Sequence, residues 1–129
     1  MPREEFDRDL LKLKNDLLML GSMVEQAIAS AVDALNKRDL PKSEAVIIAD
    51  DDIDEKRFDI EERCANLIAT QQPIAGDLRV LLAIMHIAVE LERMGDYAEG
   101  IAKISLAMGN EPPLKRLVDI PRMAEKASM

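Results

Sequence analysis

Three long stretches of this chain space their apolar residues alternately four and three apart, a pattern that suits little besides a bundle of long helices. In the first, Phe6, Leu10, Leu13, Leu17, Leu20, Val24, Ala27 and Ala31 form an unbroken heptad seam. The seam predicts a helix from about Glu4 to Lys37, a rod of roughly 50 Å at 1.5 Å per residue. It also predicts left-handed packing against its neighbours. The second stretch carries Val46, Ala49, Ile53, Ile60, Cys64 and Leu67, and predicts a helix over about Leu40–Thr70. Lys56 interrupts its seam. The third, ending near Met108, offers two seams side by side. One is Val80, Ile84, Ile87, Leu91, Met94, Ala98 and Ile101; the other is Leu81, Ile84, Ala88, Leu91, Gly95, Ala98 and Ala102. So wide an apolar arc implies more than one neighbour. Arg79, His86, Glu90, Arg93 and Tyr97 form the polar side. Gly21 lies inside the first helix at a cost of about 1 kcal/mol relative to Ala, and close packing is the only reason the sequence offers for it.

The connections are short. Asp39 can cap the second helix, with Pro41 in its first turn. Pro73, within QQPIAG at 71–76, suits the start of the third. Gly109-Asn110 followed by Pro112-Pro113 stops it. Asp119 reads as the cap of a fourth helix with Pro121 in its first turn, and a stub ending at Met129 must dock, pair with another chain or fray. Short turns make successive helices antiparallel. The expected fold is therefore all-α: an antiparallel three-helix bundle over residues 1–109, then a linker and the start of a fourth helix over 110–129.

Composition narrows the class. The chain of 129 residues is 48% hydrophobic and 33% charged, the balance of a helical domain and not of a disordered one. Aromatics make up only 2%, so the core must be Leu, Ile, Val, Ala and Met. The net charge of −8 argues against nucleic acid and against adsorption to anionic lipid. A cation or a basic protein surface is the expected partner. We read no apolar run long enough to span a bilayer and no signal peptide, so no membrane insertion is expected and the cytoplasm is the default compartment. The one cysteine, Cys64, falls on an apolar side and reads as a small core residue.

One stripe of the third helix changes character along its length. Leu78, Leu82, Met85 and Val89 lead into Glu92, Asp96 and Glu99. Like charges at this spacing cost roughly 0.2–0.5 kcal/mol per pair, and more against a neighbouring helix. In the second helix, Asp50 and Asp54 are likewise one turn apart, within a run that also holds Asp51, Asp52 and Glu55. An antiparallel pairing sets Asp50 level with Asp96, and Asp54 level with Glu92. Four carboxylates at one level make Asp50, Asp54, Glu92 and Asp96 a candidate metal site, with Glu99 one turn further. All-oxygen ligands suit Mg²⁺, Mn²⁺, Ca²⁺ or ferric iron better than structural zinc. The plain alternative is a solvated acidic face balanced by Lys56 and Arg57. Ala83, three residues before His86, rules out the ferritin-like Glu-x-x-His motif there, and His86 reads as a solvated surface residue. No nucleophile–base pair or phosphate-cradling loop is apparent.

ADDDID at 49–54, QQPIAGDLR at 71–79, ELERMGDYAEGIA at 90–102 and LGSMVEQAI at 20–28 together resemble the PhoU family of phosphate-uptake regulators. The resemblance implies a three-helix bundle whose acidic pairs bind iron or zinc. On this sequence those pairs are Asp50 with Asp54 and Glu92 with Asp96. It further implies a regulator and not an enzyme, one that represses high-affinity phosphate import and the associated two-component response. The implied partners are the transporter's ATPase subunit and a membrane sensor histidine kinase. The usual member has two bundle repeats. Here LVDIPRMAEKASM at 117–129 looks like the entry to the second, so a homodimer could restore two bundles. The competing reading is a purely structural, oligomerising scaffold with a solvated acidic stripe. A metal-dependent enzyme acting on phosphate compounds is the weaker alternative.

Overall fold

The computed structural model of the chain describes residues 2–109. It contains α1 (Pro2–Lys37), α2 (Leu40–Gln71) and α3 (Ala75–Met108), each packed against the other two. The three-helix bundle is therefore as expected. The expected linker and fourth helix at 110–129 lie outside the described residues. α1 and α3 run in one direction and α2 runs against them. Arg3, at the start of α1, pairs with Asp77, at the start of α3. At the other end, Arg38 donates from Nη1 to the Gly109 carbonyl at 2.9 Å.

The turns follow their residues. Asp39 caps α2, its Oδ1 accepting from the Lys42 backbone N–H at 3.1 Å, with Pro41 in the first turn. Gln72 ends α2 in the left-handed region, and its N–H reaches the Ile68 carbonyl. Pro73 does not enter α3. The N-cap is Ile74, extended at φ −118 and ψ 156, so the proline belongs to the connection. A left-handed residue followed by an extended one delays the helix past the proline.

The α1 seam is buried except at Leu17, which is half-buried, and in α2 only Ala49 falls short. In α3 the structure chooses between the two seams. Leu81, Ile84, Ala88, Gly95, Ala98 and Ala102 are buried, whereas Ile87 is 45% exposed. Small residues bring α3 close to both neighbours, and the larger Val80, Met94 and Ile101 close the flanks. The stripe leading to the acids runs along the edge of this face, not through the core, since Leu82 is exposed. Cys64 is fully buried, and burial pushes its thiol up to about 11, as befits an unreactive core residue.

Lys56 breaks the α2 seam because it serves another interface. Its Nζ lies 3.2 Å from Asp16 of α1, and Arg63, two turns on, reaches the other oxygen of the same carboxylate. Arg63 first, and Lys56 after it, hold the Asp16 carboxyl below the usual range. The expectation that no apolar stretch could cross a bilayer needs correction. An 18-residue window within Arg3–Lys37 has a mean hydropathy of 1.3, sufficient by length and composition. A third of that window is buried inside the bundle, where the seam packs.

Gly21 does not serve close packing. A methyl group built there meets nothing within 4 Å. Gly21→Ala should therefore stabilise the chain by about 0.5–1 kcal/mol through helix propensity and reduced unfolded-state entropy. Urea denaturation reads this directly; an unchanged or lower midpoint would mean the site carries a constraint that its open surroundings do not reveal.

Candidate metal centre

Glycine at position 95 determines how near the acids of α2 and α3 come. A Cβ added to Gly95 would sit 3.3 Å from Ile53 Cγ2 and 3.4 Å from Asp50 Oδ1. The side chains of Ile53 and Asp50 thus pack directly on the α3 backbone at Gly95. Residue 96 is turned about 100° from that contact, so Asp96 is exposed to solvent. Glu99 lies one turn beyond Gly95 on the same line, near enough to Asp50 to influence its proton. Asp50, set against Gly95, lies within one residue of the predicted level with Asp96, but Asp96 turns outward from the contact. Asp96 acts on Asp50 and Glu92 through its charge alone.

Asp54 and Glu92 do meet, and a cation already lies between them. Arg57 places Nη2 2.6 Å from Asp54, Nη1 3.0 Å from Glu61 and Nε 3.1 Å from Glu92. The Nε contact is poorly aligned, leaving that buried nitrogen without a proper hydrogen bond. The sequence presents Arg57 only as a balancing charge on a solvated face. Its distance from Asp54 and Glu61, three and four residues along one helix, was the available signal.

The electrostatics separate the acids. Burial raises the Asp50 carboxyl to about 7, helped by the Glu99 carboxylate, which can accept the Asp50 proton, and by the charges of Glu99, Asp96 and Asp54. Its Oδ1 is buried without a partner. Lys103, 3.0 Å from Glu99, holds that carboxyl low. Arg57 likewise lowers Asp54, which is largely exposed. Glu92 is less exposed, and there burial outweighs Arg57 and raises the carboxyl. Two mixed pairs result: Asp50–Glu99, which needs a proton or a cation, and Asp54–Glu92, which already holds a guanidinium.

Among the described residues, no three Asp, Glu, His or Cys side chains converge as a ready ligand set. The unpartnered Asp50 oxygen beside a second carboxylate nevertheless suits a hard cation accepting oxygen donors. Asp50 and Glu99 would hold it, with Asp96 near at hand. Asp54 and Glu92 could join only if Arg57 moved aside. His86 is exposed on another part of α3.

A three-helix bundle with an acidic seam between its second and third helices is thus the class of protein in hand. Residues 17–105 match the PhoU domain, and the chain belongs to the PhoU family. It is 44% identical over 118 residues to the phosphate-specific transport system accessory protein PhoU homolog of Aquifex aeolicus, covering 92% of this chain and 53% of that protein. The protein of the same name from Clostridium acetobutylicum is 39% identical over 127 residues, covering 98% and 58% respectively. The crystal structure of the phosphate transport system regulatory protein PhoU from Streptococcus pneumoniae superposes with a TM-score of 0.78 at 31% identity, over 93% of this chain and 61% of that one. The chain spans about half the length of the curated relatives it matches.

Proposed function

We propose that this chain is a non-catalytic regulatory adaptor of phosphate uptake, acting in the cytoplasm to repress the high-affinity transporter and its two-component signalling. The observation that carries this reading is the family membership, with relatives named as accessory proteins of phosphate-specific transport. The partners are the transporter's ATPase subunit and a sensor histidine kinase, and the working form is a homodimer. A cation, iron or zinc by family resemblance or a hard divalent ion by donor chemistry, is held between α2 and α3. Asp50, Asp54, Glu92 and Asp96 are its assigned residues, and Glu99 joins them because it meets Asp50. The bound ion would replace the proton on Asp50 and fix the spacing of the two helices.

One observation favours the rival scaffold reading for half of the site: Arg57 already neutralises Asp54 and Glu92. Two experiments separate the readings. The chain is expressed in phosphate-replete cells lacking their own homologue; adaptor function restores repression of phosphate uptake, and unchanged uptake by a folded, expressed chain counts against it. Elemental analysis after purification should find metal in the wild type and loss of it in Asp50→Asn. Equal, negligible metal in both would favour the scaffold.

A further inference from the structure

We propose that the outward face of α2 is a docking surface for a basic, amphipathic helix of another protein. This face is distinct from the α2–α3 seam, and the inference depends on neither the metal nor the phosphate role. Ile48, Asp51, Asp52, Glu55 and Phe58 share one side of the helix. Ile48 is 69% exposed and Phe58 is 59% exposed, at sites where burial would be free to place polar residues. The chain has only two phenylalanines: Phe6 fills the core, and Phe58 stands in solvent among acids. Ten residues of helix set Ile48 and Phe58 about 15 Å apart, nearly three turns of a docked helix.

Beside this stripe, α1 and α2 leave an open groove of about 300 Å³. Met23 and Ala27 line one wall, Val46 and Ala49 the other, and Asp52 stands at the mouth. Asp52 therefore joins the groove to the stripe. An apolar side chain entering the groove would have Ile48 alongside, a helix-in-groove arrangement.

Charge selects the occupant. Among the described residues no cation pairs with Asp51, Asp52 or Glu55. The nearby cations are engaged elsewhere: Lys42, which also lines the groove, faces Asp33, Lys56 faces Asp16, and Arg57 faces Asp54, Glu61 and Glu92. A second copy of this chain would bring like charges together, since the net charge is −8. A helix with lysines or arginines flanking an apolar edge matches both features of the surface, the charges steering its approach and the apolar contacts holding it.

The test uses the full chain, labelled with ¹⁵N, and two synthetic 18-residue probe peptides of leucine and lysine. One peptide is patterned as an amphipathic helix; the other has the same composition scrambled. Amide shifts on titration with the patterned peptide should cluster on the exposed side of α2 between residues 44 and 62. Ile48→Ser with Phe58→Ser should weaken that peptide at least tenfold and leave the scrambled one unchanged. Asp51→Asn, Asp52→Asn and Glu55→Gln together should weaken both peptides and reduce the salt dependence. The substituted side chains are exposed, and circular dichroism verifies the fold; if the apolar double variant unfolds, the charge variant and the shift map carry the test. Shifts spread over all acidic faces, shifts on α3 alone, or an unchanged affinity in the apolar double variant would overturn the proposal. So would sedimentation showing a self-associated chain that Ile48→Ser with Phe58→Ser renders monomeric.

Discussion

Asp50→Asn should make the metal-free chain harder to unfold at pH 8, by roughly 1–2 kcal/mol, although it removes a charged residue from an acidic seam. The carboxyl is raised to about 7, chiefly by burial and then by its contact with Glu99. A carboxyl whose folded pKa lies above its unfolded value keeps its proton longer in the folded state. Its contribution is therefore greatest below about pH 4 and declines as pH rises to about 7, where the folded chain must ionise it. Partial exposure and the new amide's own needs keep the gain small. Asp16 and Asp54 act in the opposite sense. Cationic partners hold both low, so their stabilisation is present above the usual carboxylate range and lost as pH falls below it. The wild type, stripped of metal, should be most stable at about pH 5, and Asp50→Asn should flatten the decline on the alkaline side. Urea midpoints across this range check both statements, and a wild type whose stability rose steadily to pH 8 would contradict them.

Arg57→Leu should do the reverse to the metal-free chain and strengthen any hold on metal. Removing the guanidinium leaves Asp54, Glu61 and Glu92 facing one another without a counterion. Breaking a fully buried pair costs about 3–5 kcal/mol. These groups keep partial solvent contact, so a loss of about 1–3 kcal/mol is expected after screening. The same change frees two carboxylates beside Asp50 and Glu99. Added Mn²⁺ or Zn²⁺ should then raise the melting temperature more than in the wild type, since ligand stabilisation grows with affinity. Thermal melts with and without each ion read this out. An ion-induced rise that is equal in the two proteins would mean that Arg57 does not compete with metal. A rise abolished by the substitution would mean that it supports the site.

The helices and most of their buried faces were legible because heptad spacing reports directly on which side meets a neighbour. In α3 the sequence left two seams open, and nothing in hydrophobicity could prefer Ala88 over Ile87. The structure buries the smaller residue, because from Ala88 to Ala102 the α3 face against its neighbours is lined mostly by Ala and Gly, after the larger Leu81 and Ile84. The acidic level was readable for Asp54 and Glu92. For Asp50 the level holds to within one residue, but which acid turns toward it depends on how α2 crosses α3 at Gly95, and crossing geometry is not written in a list of spacings. Arg57 was hidden for a related reason. A long side chain can satisfy partners on its own helix or on the next, and only the interhelical distance decides that it does both.

That distance has a consequence for how the chain could vary. The burial that raises the Asp50 carboxyl comes in part from a residue that carries no charge and no side chain. A large side chain at position 95 would displace Ile53 and Asp50 from the α3 backbone, admit water to the carboxyl and let its proton go at lower pH. A purely steric change could thus retune an ionic site without touching one of its oxygens, and the identity of the acids alone does not define what they bind.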